Sequence, residues 1–503
     1  MKILEVSAFI LYFILVLAIG IFFFLKDRKK DNEEEYFLGG RSMGPWVTAL
    51  SAQASDMSAW LLMGLPGSIL AFGLGKAWIG IGLALGTAAN WIFVAKRLRR
   101  FSAAANDSIT LPQYLSNRFV TGGKALQIIS AVIFLVCFTV YVASSFVAGT
   151  SVFTAVFPSL NPGTALLIFA AIIVLYTFLG GFKAVCWTDF FQGTLMLVAL
   201  LAVPIVMLIA KDMDFSKLAI PYSYVEGEET VNCVFGQNLF GSDWRDIVSG
   251  LAWGLGYFGM PHILVRFMSI KSSKMVKKSA TVAIVWVTIA LLAAIVIAVF
   301  GRIYIADKLL PFGNQKMVFV ELARDLFPGF IAGLLLAAII AASMSTADSQ
   351  LLVASSSFTS DIYKPVFRKK ASDKEVVWIG RITILIVAVV AYFIASAKGS
   401  GAQAIMDMVE NAWGGFGASF GPVVLLSLFW KRLTYKGAVA GIAAGALVDV
   451  AWLIWLGSTG IYELFPGFVA GLIAAVIVSL IDKKPSDEIV ALVELATDKA
   501  VEL

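Results

Sequence analysis

Roughly thirteen stretches of about 17–25 mostly apolar residues follow one another along the chain, each long enough to cross a bilayer as one helix. Their approximate bounds are 6–25, 46–72, 77–95, 125–156, 163–180, 185–210, 247–269, 279–303, 329–357, 377–397, 403–429, 437–457 and 465–481. A helix satisfies its own backbone N–H and C=O groups, which hydrocarbon cannot do for it. An all-α polytopic membrane protein is therefore the expected fold class. Composition agrees: of 503 residues 59% are hydrophobic and 14% charged, and the mean hydropathy is +0.87, values that exclude a soluble globular chain of this size.

The charge lies between the stretches. A net charge of +6 and a pI near 9.0 would suit a nucleic-acid binder, but the cations form short clusters beside apolar runs. Membrane lipid with acidic headgroups is the expected partner, and no nucleic acid. The clusters follow odd-numbered spans: Lys26, Arg28, Lys29, Lys30 and Arg41; Lys96, Arg97, Arg99 and Arg100; Arg266, Lys271, Lys274, Lys277 and Lys278; Lys364, Arg368, Lys369, Lys370 and Lys374; Lys431, Arg432 and Lys436. The positive-inside rule then puts these connections in the cytoplasm, with the N-terminus outside and the C-terminus inside. The connection 304–328 departs from this with Lys308, Lys316 and Arg324, and weighs less because it is long and mixed in charge. Glu226, Glu228 and Glu229 fall outside on this count.

The stretch 6–25 has no small-residue cleavage site before Lys26, so it is expected to remain as a span rather than be removed as a signal. The tail 486–503 has, over 487–502, the spacing of an amphipathic surface helix, and no soluble catalytic or signalling domain is expected. Cys137, Cys186 and Cys233 lie far apart and His262 is the lone histidine, which points to neither a disulfide framework nor a metal centre. No nucleophile or phosphate motif appears, so an enzyme is not expected.

Two spans are irregular. The second, VTALSAQASDMSAWLLMGLPG (47–67), carries Asp56 in its middle. A carboxylate there costs about 2.5–3.5 kcal/mol on insertion scales and is kept mainly where it faces a cavity, a partner or an ion. Ser51, Ala54, Ser55, Ser58 and Ala59 admit close approach of another helix, and Gly64, Pro66 and Gly67 break one. An interruption near Asp56 is expected, with freed backbone groups lining a site. The seventh span, LAWGLGYFGMPH (251–262), concentrates Gly254, Gly256, Gly259 and Pro261 in about two turns of helix, which permits a bend. It lies five spans after the second. Interrupted spans at corresponding positions of two five-helix units mark an inverted-repeat transporter with its site near the midplane. The domain reading is one transmembrane unit, 1–485, with repeats at 46–210 and 247–429, an extra helix at 6–25 and two more within 437–481.

In the ninth span, AAIIAASMSTADSQLL, Ala342, Ser345 and Thr346 stand at i, i+3 and i+4 on one helical face. Two hydroxyls there, with carbonyls freed in the second span, suit the all-oxygen shell of a hard cation. The same hydroxyls also suit close helix packing or bonds back to the preceding turn.

The runs YFLGGRSMGPWVTALSAQASDMSAWLLMGLPG (36–67), YTFLGGFKAVCWTDFFQG (176–193), WGLGYFGMPHILVRFM (253–268) and AASMSTADSQLL (341–352) resemble the sodium/solute symporter family over nearly the whole chain. The branch most resembled carries L-proline. The resemblance implies thirteen helices with a LeuT-like five-plus-five inverted repeat, sodium as coupling ion, and inward symport by alternating access. It also implies a bacterial cell membrane and no obligate protein partner. Sugar, sialic acid, pantothenate and monocarboxylate carriers share the implied fold and are the alternatives for the solute.

Carried over residue by residue, the resemblance implies a sodium site of backbone oxygens from Ala54, Met57 and Ala342 with the hydroxyls of Ser345 and Thr346. Asp56 lies beside it, either ligating directly or accepting backbone N–H groups freed at the break. Ser58 and Trp60 on the same segment, Tyr141 in the fourth span, and Trp253, Tyr257 and Pro261 in the seventh are implied on the solute side. Aromatic walls suit a pyrrolidine ring, covering its methylenes and facing its ammonium; aromatics in spans also serve as interface anchors. Where the resemblance implies glutamine before the Pro–His pair, this chain has Met260. Arg41 and Ser51 are implied as coupling or gating positions, Arg41 being equally readable as an interface anchor. Gly414, Gly415, Gly417 and Gly421, after Glu410, Asn411 and Trp413, suit either a gating helix or ordinary small-residue packing. Finally, Asp348 and Ser349 continue the face begun by Ser345. With Asp189, which the resemblance places toward the exit, they form a candidate second cation site, unless Asp348 is paired with a nearby cation or protonated.

Overall fold

The computed structural model describes residues 2–27, 32–120, 124–227, 229–398, 402–498 and 500–501; the loop charges Arg28, Lys29, Lys30 and Glu228 lie outside the described residues. Ten described helices are long and apolar enough to span, or eleven with the bent pair Trp244–Phe258 and Pro261–Ser269 taken as one. The other two predicted spans are shorter or broken in the described chain. Stretch 46–72 divides into Pro45–Met57 and Ala59–Phe72, and stretch 163–180 appears as Pro162–Phe178. The count of thirteen full spans is thus not reached. The shortfall comes from glycine and small residues that interrupt helices while leaving hydropathy high.

The first break has a definite backbone cause. Pro45 opens a helix whose early N–H it does not need to donate, and the helix runs to Met57. Ser58 then adopts φ 45° and ψ −175°, a left-handed φ costing a non-glycine residue about 1–3 kcal/mol. Its hydroxyl accepts the Trp60 N–H at 3.1 Å, which starts a 3₁₀ turn over Ala59–Leu61 before Gly64–Phe72 resumes. The second break is a 3₁₀ stretch, Trp253–Phe258, followed by Pro261–Ser269 at a 42° bend. Gly181, at φ 65°, turns the chain between the fifth and sixth stretches.

Helix Gly329–Phe358 is the axis. Its span is 83% buried, against 28% for the first helix at the rim, and it packs against Ala125–Val156, Pro162–Ala210, Lys2–Asp27 and Pro45–Met57. The second broken helix is gripped through glycine. A β-carbon on Gly86 of helix Ala77–Ala89 would overlap the Gly254 carbonyl, and one on Gly259 would lie 2.7 Å from the Gly421 nitrogen. Gly414, Gly415, Gly417 and Gly421 of helix Ala402–Phe429 sit in close packing contacts. A π-helical turn, Asn90–Ala95, aims Asn90 Nδ2 at the Tyr257 carbonyl, 2.9 Å away.

Outside the bundle, strands Tyr222–Glu226 and Glu229–Cys233 pair antiparallel, on either side of the acidic connection at 226–229. Arg302 ties this hairpin to the first broken helix through the carbonyls of Cys233 and Leu70, at 3.2 and 3.1 Å. The tail helix Asp487–Thr497 buries Ile489, Val493 and Ala496. It lies on helix Lys96–Ala104, where Arg100 Nε donates to the Ala496 carbonyl at 2.8 Å.

Candidate functional site

The first break and the axial helix meet through oxygen. Ser345 Oγ lies 2.8 Å from the Ala54 carbonyl and 3.2 Å from that of Ala342, so its one proton faces two acceptors. Thr346 Oγ1 is buried without a hydrogen-bond partner among the described residues. Ala54, Met57, Ala342, Ser345 and Thr346 are all buried. An unpartnered hydroxyl beside another hydroxyl and carbonyls is a donor set that fits a hard monovalent cation and offers nothing soft.

Asp56 departs from the expectation that it collects backbone N–H groups. Its Oδ2 accepts the Tyr257 hydroxyl at 2.5 Å, joining the two breaks to each other. The backbone at the break is served differently: Ser58 takes the Trp60 N–H, and Tyr141 OH approaches the Asp56 carbonyl at 3.5 Å. Asp56, Met57, Ser58, Trp60, Tyr141, Trp253 and Tyr257 line one small cavity of about 10 Å³. Pro261 does not line it; it is buried as the first residue of its helix. His262 packs against Phe138 and Tyr141, with ring centroids 5.8 and 6.3 Å apart, as a core side chain does.

The aromatic wall is larger than the sequence suggests. Trp253 stacks on Trp60 at 5.8 Å, on Trp413 at 6.1 Å and on Tyr462 at 5.2 Å. Trp413 also donates its indole N–H to the Trp253 carbonyl at 2.9 Å and meets Tyr257 edge-on at 5.1 Å. Trp413 lay in view beside the glycine run. Tyr462 sits in the short connection before the last span and has no local signal.

A second polar cluster is organised by Arg266. Counted with the loop cations in the sequence, this residue is instead 1% exposed inside helix Pro261–Ser269. Its Nη2 donates to Asp189 Oδ2 at 2.9 Å and Ser349 Oγ at 2.5 Å, its Nε to Ser51 Oγ at 2.8 Å. Ser51 passes its own proton to Asp189 Oδ2 at 2.7 Å, and Ser349 to Asp348 Oδ1 at 3.2 Å. Asp189, Asp348, Ser349 and Ser51 are thus brought together around a guanidinium, while Ser345 turns its hydroxyl to Ala54. Arg41 is mostly covered, its side chain 10% exposed. It donates to Ser102 Oγ, Met268 O and Ser108 O at 3.2, 2.9 and 2.9 Å, fastening the start of the first broken helix to the ends of two others. Burial lowers its guanidinium from the ordinary range while Asp107 opposes that shift.

Two broken helices facing an unbroken one, with a polar centre in an apolar bundle, define a membrane transporter of the LeuT-like class. Comparison with known proteins carries this further. The model of the sodium:solute symporter family matches residues 36–445, and the chain belongs to that family. It is 45% identical over 487 residues to sodium/proline symporter 2 of Staphylococcus saprophyticus, covering 95% of this chain and 92% of that one. It is 44% identical over 482 residues to the sodium/proline symporter of Escherichia coli K12, covering 95% and 93%. The solved structure of a Na⁺-coupled sialic acid symporter superposes with a TM-score of 0.73 at 19% identity, over 96% of this chain and 99% of that one. That last likeness speaks to the fold.

Proposed function

We propose that this protein carries L-proline into the cell with sodium by alternating access. One observation carries the reading. The Asp56–Tyr257 bond joins the oxygen-rich break at Ala54–Met57 to the aromatic cavity at Ser58, Trp60, Tyr141 and Trp253. Sodium held by Ala54, Met57, Ala342, Ser345 and Thr346 would then stabilise the same short segment that the solute needs. Coupling of about 1–3 kcal/mol suffices for such linkage. The inward fall of each sodium charge contributes about 2.3 kcal/mol per 100 mV. The likeness to two sodium/proline symporters over most of the chain supports proline over a sugar, sialic acid, pantothenate or a monocarboxylate.

We place the protein in a bacterial plasma membrane with the N-terminus outside and the C-terminus in the cytoplasm, on the distribution of Lys and Arg. The repeats are 46–210 and 247–429, with 6–25 and 437–481 as additions and 486–503 as the tail. At Asp189, Asp348 and Ser349 the resident cation is Arg266, so the reading carried forward is one sodium per proline. Proteoliposomes with an imposed sodium gradient test the whole. Labelled proline should accumulate, and unlabelled proline should compete where the other solutes do not. Sodium-driven uptake of one of those solutes instead would reassign the cargo.

A further inference from the structure

Helix Tyr435–Trp455 holds a further buried carboxylate that the proposed transport site does not use, Asp449, 3% exposed. Beside it stands Glu463, 7% exposed, at the start of helix Leu464–Ile481. Asp449 Oδ1 and Glu463 Oε1 are both buried with no hydrogen-bond partner among the described residues. They converge on one point of helix Ala402–Phe429. A β-carbon on Gly414 would lie 3.0 Å from Asp449 Oδ1 and 3.5 Å from Glu463 Oε1. Two buried carboxylates turned toward one spot repel unless a proton or a cation stands between them.

Of the two carboxyls, Glu463 reaches a cavity that Asp449 does not line. Glu463 lines a cavity of about 520 Å³ whose wall also holds Asp246, Asp407 and Glu410 and one described cation, Lys76. Lys76 is paired with Asp246 at 3.2 Å. Carboxylates gathered along a cavity wall draw cations in.

We propose that Asp449 and Glu463 form a binding site for one monovalent alkali cation, filled from this cavity and separate from the oxygens of Ala54 and Ser345. Carboxylate oxygens are hard donors and select hard cations. A divalent ion such as calcium takes about 6–8 oxygens, and among the described residues no group of three or more acidic, histidine or cysteine side chains gathers to hold one. The bare Gly414 leaves the room. Tyr462, adjacent to Glu463 in sequence, stacks on Trp253 and donates to the Glu410 carbonyl at 2.7 Å, so the cation would steady the aromatic wall from behind.

The test uses purified full-length protein without solute. Thermal unfolding is followed in NaCl, KCl, LiCl and choline chloride at equal ionic strength, at pH 6 and at pH 8, in a Ser345→Ala/Thr346→Ala background that silences the first cation site. A higher midpoint in an alkali salt than in choline, abolished by Asp449→Asn and by Glu463→Gln, is the expected result. Gly414→Ala keeps both carboxyls while filling the space between them, and should abolish the same difference. No difference in the background, or one that survives all three changes, overturns the proposal. So does a midpoint that follows pH alone, the mark of a shared proton. No solute enters the measurement, so its failure leaves the transport reading standing.

Discussion

Replacing Tyr257 by phenylalanine removes one oxygen and almost nothing else. The ring keeps its edge-on contact with Trp413 at 5.1 Å, so the wall stays in place. What disappears is the donor 2.5 Å from Asp56 Oδ2, in a pair that is 1% and 5% exposed. A hydrogen bond to a charged group contributes about 1.5–3 kcal/mol, and about 1.4 kcal/mol is a factor of ten in affinity. Tyr257→Phe should therefore weaken binding by about 10- to 100-fold. Asp56 lies between the cation oxygens and the solute cavity, so both the sodium concentration for half-maximal uptake and the KM for proline should rise. Trp253→Ala provides the contrast. It removes wall area without touching Asp56 and should raise the KM for proline with much less effect on sodium activation. Uptake into proteoliposomes across a matrix of sodium and proline concentrations measures both quantities. If Tyr257→Phe moves the proline KM alone and leaves sodium activation at its original value, the Asp56–Tyr257 bond is not the link between the two ligands.

Three more outcomes follow from the geometry. Ser345→Ala with Thr346→Ala removes two oxygens of a shell of about five and should abolish sodium activation at ordinary concentrations; circular dichroism should show the same helix content. Arg266→Gln leaves Asp189 buried and unpaired, a loss of about 3–5 kcal/mol that should lower the unfolding midpoint. Adding Asp189→Asn should restore much of it, and an unchanged midpoint in the single variant would refute the pairing. The sodium-to-proline ratio should be one and should stay so in Asp348→Ser; a ratio above one that falls in that variant would reinstate the second cation site.

Legibility in the sequence follows the range of the interaction. The breaks were readable because their causes are local: Gly254, Gly256, Gly259 and Pro261 lie within one short run, and Asp56 stands out in apolar surroundings. The face of Ala342, Ser345 and Thr346 was readable from helical periodicity alone. What Asp56 bonds was not, because Tyr257 lies 201 residues away in the sequence. Arg266 misled the count of loop charges because it follows an apolar span and precedes four lysines, and hydropathy cannot tell a loop cation from a buried one. Its place four residues after His262, on the inner face of a short helix, was the available clue. Asp449 obeys the same rule that singles out Asp56, a carboxylate within an apolar span, but that signal was passed over in reading the sequence. Tyr462 was not legible, since its partners Trp253 and Glu410 lie far away in sequence.

The location of the site at a strained break has its own logic. Ser58 is held at φ 45°, at a cost of about 1–3 kcal/mol, which matches the coupling energy that linked binding of two ligands requires. A continuous helix would have no such reserve, and its carbonyls would be committed to its own N–H groups. At the break, the Ala54 carbonyl accepts the Ser345 hydroxyl and Asp56 accepts that of Tyr257. Each bond therefore runs to a different helix. A cation between Ala54 and Ser345 would pull the segment toward the axial helix, and a solute against Trp60 and Trp253 would pull it toward the second broken helix. The strained geometry at Ser58 answers to both. Neither ligand alone then fully stabilises it, which is the condition for each to raise the affinity of the other.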